Sequence, residues 1–245
     1  MFLKRIIKDS LAFLIYYLPK NHRASILMYH SISNNNVFFT VRPKIFARQM
    51  QFLKEKGYIV ISLSELVGIL SSNKPLLKKT VVLTFDDGYE DNYYNVLSIL
   101  EKYGFPATIF ISPRLVGCYL KNSQESALKV LDWQDMYKMS QTGFIDFQPH
   151  GLTHQKLDKL CINELQHEIK KSKKILEKRL KKICWFFTYP HGRYNKRTIQ
   201  VLNENNFKAA LTVNKGFVKK GDNLYALNRN SINSTVSFIQ FKAKL

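Results

Sequence analysis

Short apolar runs alternate with helix-periodic segments from residue 25 to residue 244, and this alternation constrains the fold more than any other feature. The apolar runs have the length of buried strands. Strands that alternate with helices form βαβ units and a mainly parallel sheet. We therefore predict strands at residues 25–30, 80–86, 107–112, 144–148, 184–189, 207–213 and 225–230.

Helical periodicity fills the segments between these runs. It is clearest at 163–182, where Leu165, Ile169 and Leu176 share one apolar stripe and lysines occupy the other face. This segment opens on Asn163-x-x-Gln166, which resembles a capping box. The other helices are predicted at 43–56, 64–70, 93–103, 132–142, 196–205 and 235–244.

Seven strands suit either a (β/α) barrel or a doubly wound sheet. The chain has 245 residues, and a typical barrel of this kind has about 250. A hydrophobic fraction of 45% supplies a full core and excludes a disordered chain. No Pro/Gly/Ser-rich linker divides residues 24–245, so we predict one α/β domain there, preceded by an N-terminal helix within residues 1–23.

Adjacent carboxylates end the second predicted strand, in the segment TFDDGY. Asp86 and Asp87 follow a buried run, and Gly88 permits a tight turn after them. The carboxyl ends of parallel strands carry the active site in α/β proteins. Two neighbouring carboxylates repel each other unless a cation lies between them or one is protonated. A helix-capping Asp in an ordinary turn is the alternative, but the doublet favours a functional site.

Histidines follow three further strands. His150 and His154 are four residues apart, so they can face one ion if the segment coils, and a carboxylate would complete the ligand set. Two surface histidines in a turn are the alternative. Pro190 opens a turn whose backbone N–H groups can stabilise an oxyanion, and His30 ends the first strand. All these residues lie at the carboxyl ends of predicted strands, which places them on one face.

At these residues the chain resembles the polysaccharide deacetylases of the NodB-homology type, a group of carbohydrate esterases. The segments TFDDGY, HGLTH and YPHGRYN are similar to the family's first, histidine and third motifs. The stretches ILMYHSI, FARQMQFLKEKGYIVISLSEL, LEKYGFPATIFI and YALNRNSI are similar to a subgroup with an N-terminal Tyr-His motif. The resemblance covers residues 24–245, nearly all of the chain beyond the N-terminal helix.

This resemblance implies a distorted (β/α) barrel that hydrolyses an N-acyl group, usually N-acetyl, on an amino sugar. It implies that Asp87, His150 and His154 hold a divalent metal, most often Zn²⁺, with Co²⁺, Ni²⁺ or Mn²⁺ as alternatives. Asp86 would be the general base for a water activated by the metal. Backbone N–H groups near His191 would bind the oxyanion.

Two departures from the family pattern affect the catalytic roles. Thr188 stands where the third motif usually has an Arg, so Arg193 or Arg229 is expected to orient the base instead. The late Leu-His-Asp motif has no match, so His30 is the candidate general acid and His191 the second candidate. The motifs also contain the candidate substrate-binding residues Tyr89, Tyr189, Pro190 and Arg193.

The N-terminal segment combines Lys4, Arg5 and Lys8 with an apolar stretch at 11–18. Lys8, Asp9 and Ser10 separate it from the apolar residues before them, so it is too short to cross a bilayer, which needs about 20 apolar residues. The residues after Leu18 do not form a signal-peptidase site. An interfacial amphipathic helix and a helix packed on the domain both remain open. An uncleaved signal anchor is less favoured.

The formal net charge of +20 indicates an anionic partner. The lysines are dispersed and no nucleic-acid recognition module is present, so we predict no nucleic-acid partner. An anionic membrane surface fits the basic helix better, and we expect peripheral membrane association, with the cytoplasmic face favoured over the cell envelope. Cys118, Cys161 and Cys184 lie far apart, which predicts no disulfide framework and no thiolate metal site.

The sequence therefore predicts a metal-dependent carbohydrate N-deacetylase that acts on an N-acetylated amino sugar in a polysaccharide or a lipid-linked glycan. The alternative is a catalytically degenerate relative that binds carbohydrate or glycolipid. The missing Arg and late His favour this alternative, whereas the complete set of metal ligands opposes it. Selectivity for the sugar is expected to reside in loops such as 117–131.

Overall fold

The computed structural model describes residues 2–17, 22–72, 74–121 and 127–245. Its strands are β1 (Ala24–Tyr29), β2 (Ile59–Val60), β3 (Thr80–Phe85), β4 (Ala107–Ile111), β5 (Tyr119–Lys121), β6 (Ala127–Lys129), β7 (Ile145–Pro149), β8 (Phe186–Thr188), β9 (Ala209–Leu211) and β10 (Asn230–Ser231). Its α-helices are α1 (Phe2–Tyr17), α2 (Pro43–Glu55), α3 (Leu63–Leu70), α4 (Asp91–Asn95), α5 (Leu97–Tyr103), α6 (Trp133–Gln141), α7 (Ile162–Leu180), α8 (Lys196–Glu204) and α9 (Phe238–Ala243).

The main sheet is parallel throughout and has the strand order β10-β1-β3-β4-β7, with β2 also paired to β3. β1 and β3 are aligned along their full length, from Ala24 opposite Thr80 to Tyr29 opposite Phe85. β8 and β9 form a separate parallel pair, and β5 and β6 form an antiparallel hairpin. The parallel register brings the carboxyl ends of β1, β3, β4 and β7 to one end of the sheet.

A distorted barrel results because the parallel strands curl until their two edges approach each other. On one side Leu211 of β9 makes a parallel bridge to Leu227, just before β10, which in turn pairs with β1. On the other side the Gln148 side chain of β7 accepts hydrogen bonds from the backbone N–H groups of Trp185 and Phe186, at 3.0 and 2.9 Å. A side chain thus replaces a backbone ladder between β7 and β8, which confirms the predicted α/β barrel.

The strands are buried on both faces, as is usual where helices cover a parallel sheet. Every residue of β1, β3 and β4 is buried. The largest apolar cluster lies between the sheet and the surrounding helices and contains Tyr29, Phe46, Phe85, Phe147 and Phe241. Tyr29 stacks on Phe85 with ring centroids 5.4 Å apart. This packing holds the strand ends, and the loops that follow them, in fixed positions.

Helix starts follow from local capping chemistry. Ser62 and Glu65 form a reciprocal capping box at α3. Asp132 caps α6, where its side chain accepts the N–H of Asp135 at 2.8 Å. The predicted long helix is present as α7, but the predicted capping box at Asn163 was wrong: α7 begins at Ile162, and the N–H of Cys161 donates to Glu164 Oε2 at 2.9 Å.

Some predicted elements differ in the structure. The predicted strand 225–230 is wrong for most of its length, because Asn223 Oδ1 accepts the N–H of Tyr225 and starts a 3₁₀ turn at Leu224–Ala226. The predicted helix 93–103 is two helices, α4 and α5, that meet at Val96. The last helix is shorter than 235–244 and begins after the capping residue Ser237. The short strand β2 and the β5–β6 hairpin were not predicted.

The N-terminal helix α1 packs against α9. The predicted segment 1–23 overlaps it, although residues 1 and 18–21 lie outside the described residues. No helix in the described part of the chain is long and apolar enough to cross a membrane. All three cysteines are free; Cys184 is buried, whereas Cys118 and Cys161 are exposed.

Candidate metal centre and active-site cleft

The four sequence motifs meet in one cleft at the carboxyl ends of the strands. His30 follows β1, Asp86 and Asp87 follow β3, His150 follows β7 and the Pro190 turn follows β8. The cleft has a volume of about 280 Å³ and is lined by side chains from all four motifs. Four residues outside the motifs complete the lining: Phe39, Leu120, Lys121 and Val213.

Asp87, His150 and His154 form a compact group that could hold a metal ion. Their ligand atoms all lie within 4.8 Å of one another. Asp87 Oδ1 is 3.1 Å from His154 Nε2 and 3.7 Å from His150 Nε2. Two imidazoles and one carboxylate are a ligand set that suits zinc and related divalent ions and leaves positions open for water.

The chemistry of the three donors fits a divalent cation. Asp87 Oδ1 is buried, and no described residue hydrogen bonds to it with acceptable geometry. A buried carboxylate oxygen without such a partner is costly unless a cation satisfies it. Burial raises the pKa of Asp87, but the neighbouring His154 imidazole outweighs burial and holds that pKa well below its usual range. The carboxylate is therefore ionised, as a metal ligand must be.

His150 is oriented by Thr188 at the end of β8. His150 Nδ1 lies 2.9 Å from Thr188 O and 2.5 Å from Thr188 Oγ1. The carbonyl oxygen accepts only, so the proton is on Nδ1 and the Nε2 lone pair faces Asp87. Burial lowers the pKa of His150 to about 4, so its imidazole is neutral near pH 7. A second hydrogen bond of this kind is typical of metal-binding histidines.

Several loop residues of the cleft adopt a left-handed backbone conformation. The φ angles of Asp87, His154 and His191 are 69°, 63° and 57°. Non-glycine residues adopt this conformation at an energetic cost, and such residues cluster at functional sites. At each position the sharp turn directs a side chain of the loop towards the cleft.

Both carboxylate oxygens of Asp86 accept hydrogen bonds from Arg229, which lies just before β10. The guanidinium donates to both carboxylate oxygens, Nη1 to Oδ1 and Nη2 to Oδ2, each at 2.7 Å. Its Nε donates to Thr212 O at 2.8 Å, and the Arg229 side chain is completely buried. Burial raises the pKa of Asp86, but the charge and hydrogen bonds of Arg229 outweigh burial and lower it overall. Of the two arginines expected near the base, the structure places Arg229 there.

Arg193 lies elsewhere. Its guanidinium pairs with Asp158 at 2.7 Å on the exposed side of the turn, and it does not line the cleft. Pro190 is buried behind the turn and is also absent from the lining. The geometry therefore gives neither residue the substrate contact that the motif suggested.

The aromatic side of the cleft contains Tyr89, Phe39 and His30. Tyr89 donates its hydroxyl proton to Asp87 Oδ2 at 2.9 Å, and burial raises its pKa, so this donor stays protonated. Phe39 stacks on Tyr89 with ring centroids 5.5 Å apart and contacts His30 at 5.3 Å. His30 Nδ1 is buried without a hydrogen-bond partner among the described residues. The His30 side chain also lines the cleft.

The turn after β8 forms the opposite wall. Tyr189 lines the cleft, but its hydroxyl donates to Tyr225 O at 2.7 Å and its ring stacks on Tyr194. The N–H groups of Gly192 and Arg193 are used within the turn, by Tyr189 O and Pro190 O. The exposed His191 ring lies 4.5 Å from the ring of His154, centroid to centroid. Partial burial lowers the pKa of His191, and the charge of its neighbour His154 also lowers it.

Sequence reasoning missed the residues that hold these loops in place. Glu168, buried on α7, accepts the N–H groups of Leu152 and Thr153 at 2.8 and 3.1 Å and the Thr153 hydroxyl at 2.7 Å. This carboxylate fixes the loop that carries His150 and His154. The sequence contains one sign of this role: Glu168 is an acidic residue next to Ile169, on the buried side of α7.

Two polar residues of α4 hold the loop after β1 in the same way. Asp91 accepts the Ser31 hydroxyl at 2.6 Å and the N–H of Ile32 at 3.0 Å. Asn92 donates to His30 O at 3.0 Å. These contacts join residues about 60 positions apart, so no local pattern reveals them.

The fold and site define a class: an α/β barrel with a candidate Asp-His-His metal centre beside a buried Asp–Arg pair. Comparison with protein-family models matches residues 73–210 to the polysaccharide deacetylase model. The chain belongs to the polysaccharide deacetylase family, which confirms the resemblance found in its motifs.

Relatives with assigned names agree with this family. YxkH of Bacillus subtilis (strain 168), whose name assigns it to the polysaccharide deacetylases, is 32% identical over 224 residues, which cover 91% of this chain and 76% of that protein. Poly-beta-1,6-N-acetyl-D-glucosamine N-deacetylase of Staphylococcus aureus (strain MSSA476) is 27% identical over 86% of this chain and 79% of its own length.

A solved structure with a similar fold is the Streptococcus pyogenes deacetylase PplD in complex with acetate. It is 33% identical to this chain, with a TM-score of 0.78 over 89% of this chain and 96% of that chain. Both the sequence and the fold of this chain are thus similar to those of named deacetylases.

Proposed function

We propose that this protein is a metal-dependent hydrolase that removes the N-acetyl group from an amino sugar of a glycan. The observation that carries the proposal is the juxtaposition, in one cleft, of the Asp87–His150–His154 group and the Asp86–Arg229 pair. Hydrolysis converts the amide and one water into a free amine and acetate, so it requires a base for the water, stabilisation of the oxyanion and an acid for the amine.

Asp87, His150 and His154 would hold the metal, and Zn²⁺ is the ion we favour because two imidazoles and one carboxylate are typical catalytic zinc ligands. Co²⁺, Ni²⁺ and Mn²⁺ are alternatives for the same donors. When bound, such an ion lowers the pKa of a coordinated water and polarises a carbonyl oxygen.

Asp86 is assigned as the general base. Arg229 keeps its carboxylate ionised and fixes its orientation by two hydrogen bonds. A carboxylate has about four lone-pair positions, so these two bonds leave acceptor capacity for the proton of the attacking water.

His30 is assigned as the general acid that protonates the leaving amine. It lines the cleft on the side opposite the Pro190 turn, and its Nδ1 has no described hydrogen-bond partner. His191 is the second candidate. It suits the role less well because burial lowers its pKa, which disfavours the protonated form that an acid needs.

The oxyanion is assigned to the turn after β8. The N–H groups of Gly192 and Arg193 bond within the turn, which leaves the N–H of His191 as the candidate donor from this turn. A preorganised backbone donor stabilises the developing negative charge without reorganisation.

An N-acetylglucosamine polymer is the substrate class we propose first, because the named Staphylococcus aureus relative is a poly-beta-1,6-N-acetyl-D-glucosamine N-deacetylase. The acetate in the PplD complex also fits the expected product. A lipid-linked N-acetylated sugar is the alternative carrier. Phe39 and Tyr89 offer an apolar wall beside the ionised residues, which suits the face of a sugar ring.

The test measures acetate release by Zn²⁺-loaded protein from poly-β-1,6-N-acetylglucosamine oligomers and from a lipid-linked N-acetylated sugar. We expect Asp86→Asn to lower kcat by about 10²–10⁴-fold, as expected for the loss of a general base. We expect His154→Ala to lower both the bound metal and the activity. Asp135→Asn, which alters a carboxylate on α6 outside the cleft, is the matched control and should retain activity.

Acetate release that survives Asp86→Asn, or purified protein that binds no divalent metal under any loading condition, would overturn the proposal. Release from only one of the two substrates would identify the carrier.

A further inference from the structure

The N-terminal helix α1 exposes an apolar stripe to solvent. Ile7, Leu11 and Leu14 follow one another at helical spacing and are 59%, 57% and 65% exposed. A helix packed on a globular domain normally directs its polar face outward. Adjacent large apolar side chains on an outer face are typical of a surface that binds a membrane or another protein.

The opposite face of α1 is held against the domain. Ala12 is buried, and Asp9 Oδ1 accepts hydrogen bonds from Ser237 Oγ and Gln240 Nε2, both at 2.6 Å. Tyr16 packs against the main apolar cluster. These contacts fix the rotation of α1 about its axis, so the apolar stripe is directed away from the protein by the fold itself.

The charge of this region identifies the kind of surface that α1 would meet. Residues 1–23 contain one acidic residue, Asp9, and that carboxylate is used against α9. The same segment contains five basic residues: Lys4, Arg5, Lys8, Lys20 and Arg23. The chain as a whole carries a formal charge of +20. An apolar stripe among basic residues matches the headgroup boundary of an anionic bilayer, where each Lys or Arg strengthens binding about fivefold.

One face of α1 packs on α9, so lipid can reach only the other face of the helix while this packing is kept. An orientation along the bilayer surface keeps the α9 contacts and buries the stripe. We propose that α1 docks the protein on an anionic lipid surface through Ile7, Leu11 and Leu14. This docking is independent of catalysis.

A chain of contacts also leads from α1 towards the cleft. Asp9 contacts Ser237 at the start of α9, and shortly before it Ser234 donates to Phe38 O at 2.8 Å. Phe38 precedes Phe39, which lines the cleft. The start of α9, which binds Asp9 of α1, therefore lies close to the loop that carries Phe39.

The test is co-sedimentation of the full chain with phosphatidylglycerol vesicles and with phosphatidylcholine vesicles, at low and high salt. We expect the wild-type chain to bind the anionic vesicles and to bind less at high salt. The double variant Leu11→Glu/Leu14→Glu should bind at least about tenfold more weakly, because it removes buried apolar area and adds two negative charges.

The matched control is Leu77→Glu/Ile183→Glu. These residues are 55% and 56% exposed and lie outside α1, so the control makes the same change of charge elsewhere. It should bind like the wild-type chain. In a third variant, Leu11→Trp, the indole emission should shift to shorter wavelength on vesicle binding.

Equal losses for the two double variants would overturn the proposal, because binding would then depend on net charge alone. So would a wild-type chain that does not bind anionic vesicles, or a Leu11→Glu/Leu14→Glu variant that converts a dimer into a monomer, which would assign the stripe to a second copy. Acetate release by the soluble double variant should equal that of the wild-type chain, which separates this test from that of the catalytic proposal.

Discussion

The buried side chain of Arg229 keeps the carboxylate of Asp86 ionised and fixes its orientation. Its guanidinium has no exposure to solvent and uses both Nη atoms on Asp86. Two buried charges remain favourable only with such geometry, and removal of one partner leaves the other uncompensated. The residue comes from a position 143 residues after Asp86 in the chain, and the barrel brings it to the base.

Replacement of Arg229 by Gln is expected to raise the pKa of Asp86, because burial then acts without the opposing charge. The base is inactive when protonated, and a higher pKa means that it is protonated already at a higher pH. The acidic limb of the kcat/KM profile should therefore move to higher pH. Folding should also weaken by about 3–5 kcal/mol at neutral pH.

Arg229→Lys keeps a positive charge but loses the paired hydrogen bonds, so we expect a smaller shift and a smaller loss of stability. Arg193→Gln, at an exposed ion pair, is the control and should leave the profile unchanged. A profile for Arg229→Gln that coincides with the wild-type profile would contradict the role assigned to Arg229.

In the wild-type protein, folding lowers the pKa of Asp86, and this makes the stability of the fold depend on pH. The contribution of Asp86 to stability is therefore present above its unfolded pKa and is lost as the pH falls through its lower, folded pKa.

At the scale of elements, the turns after the strands carry most of the site. Gly88 follows Asp87 with a φ of 63°, and a Cβ atom there would lie 2.7 Å from Ile111 Cδ1. The turn therefore requires glycine both for its backbone conformation and for its close contact with β4.

We expect Gly88→Ala to lower the free energy of unfolding by about 2–4 kcal/mol, from the left-handed backbone and the added contact. It should also weaken metal binding, because the displaced turn carries Asp87. Gly104→Ala is the matched control, since Gly104 has a φ of 67° but open space around its Cβ position. That variant should lose about 1–2 kcal/mol and bind metal normally. Equal losses in urea unfolding would show that contact with Ile111 has no effect.

The sequence predicts those strands and helices that are determined by a pattern of neighbouring residues. The apolar runs at β1, β3, β4 and β7 predicted strands close to their observed bounds, and their carboxyl ends correctly placed the motif residues on one face. The strand predicted at 225–230 was wrong because the side chain of Asn223 starts a 3₁₀ turn there. Glu168 could not be assigned, because its loop contacts join residues 15 or 16 positions apart through tertiary packing.

At the scale of the whole molecule, the barrel closes by two different means. β9 reaches β10 through the backbone bridge between Leu211 and Leu227. β7 reaches β8 through the buried side chain of Gln148, whose Nε2 also donates to Asp146 Oδ2 at 2.8 Å. The candidate metal site spans this second junction, because His150 follows β7 and its partner Thr188 ends β8.

The junction between β7 and β8 should therefore control both stability and metal binding. Gln148→Leu preserves the side-chain volume but removes the acceptor of the N–H groups of Trp185 and Phe186. Leaving two such donors unsatisfied should lower the free energy of unfolding by about 2–5 kcal/mol, which urea denaturation measures. Because β8 then loses its fixed distance from β7, Thr188 should orient His150 less well, and metal affinity should fall about 10–100-fold. Gln141→Leu, at an exposed position of α6, is the control and should change neither quantity. If Gln148→Leu weakens folding but leaves metal affinity intact, the loop after β7 holds His150 without help from β8, and Glu168 alone is its support.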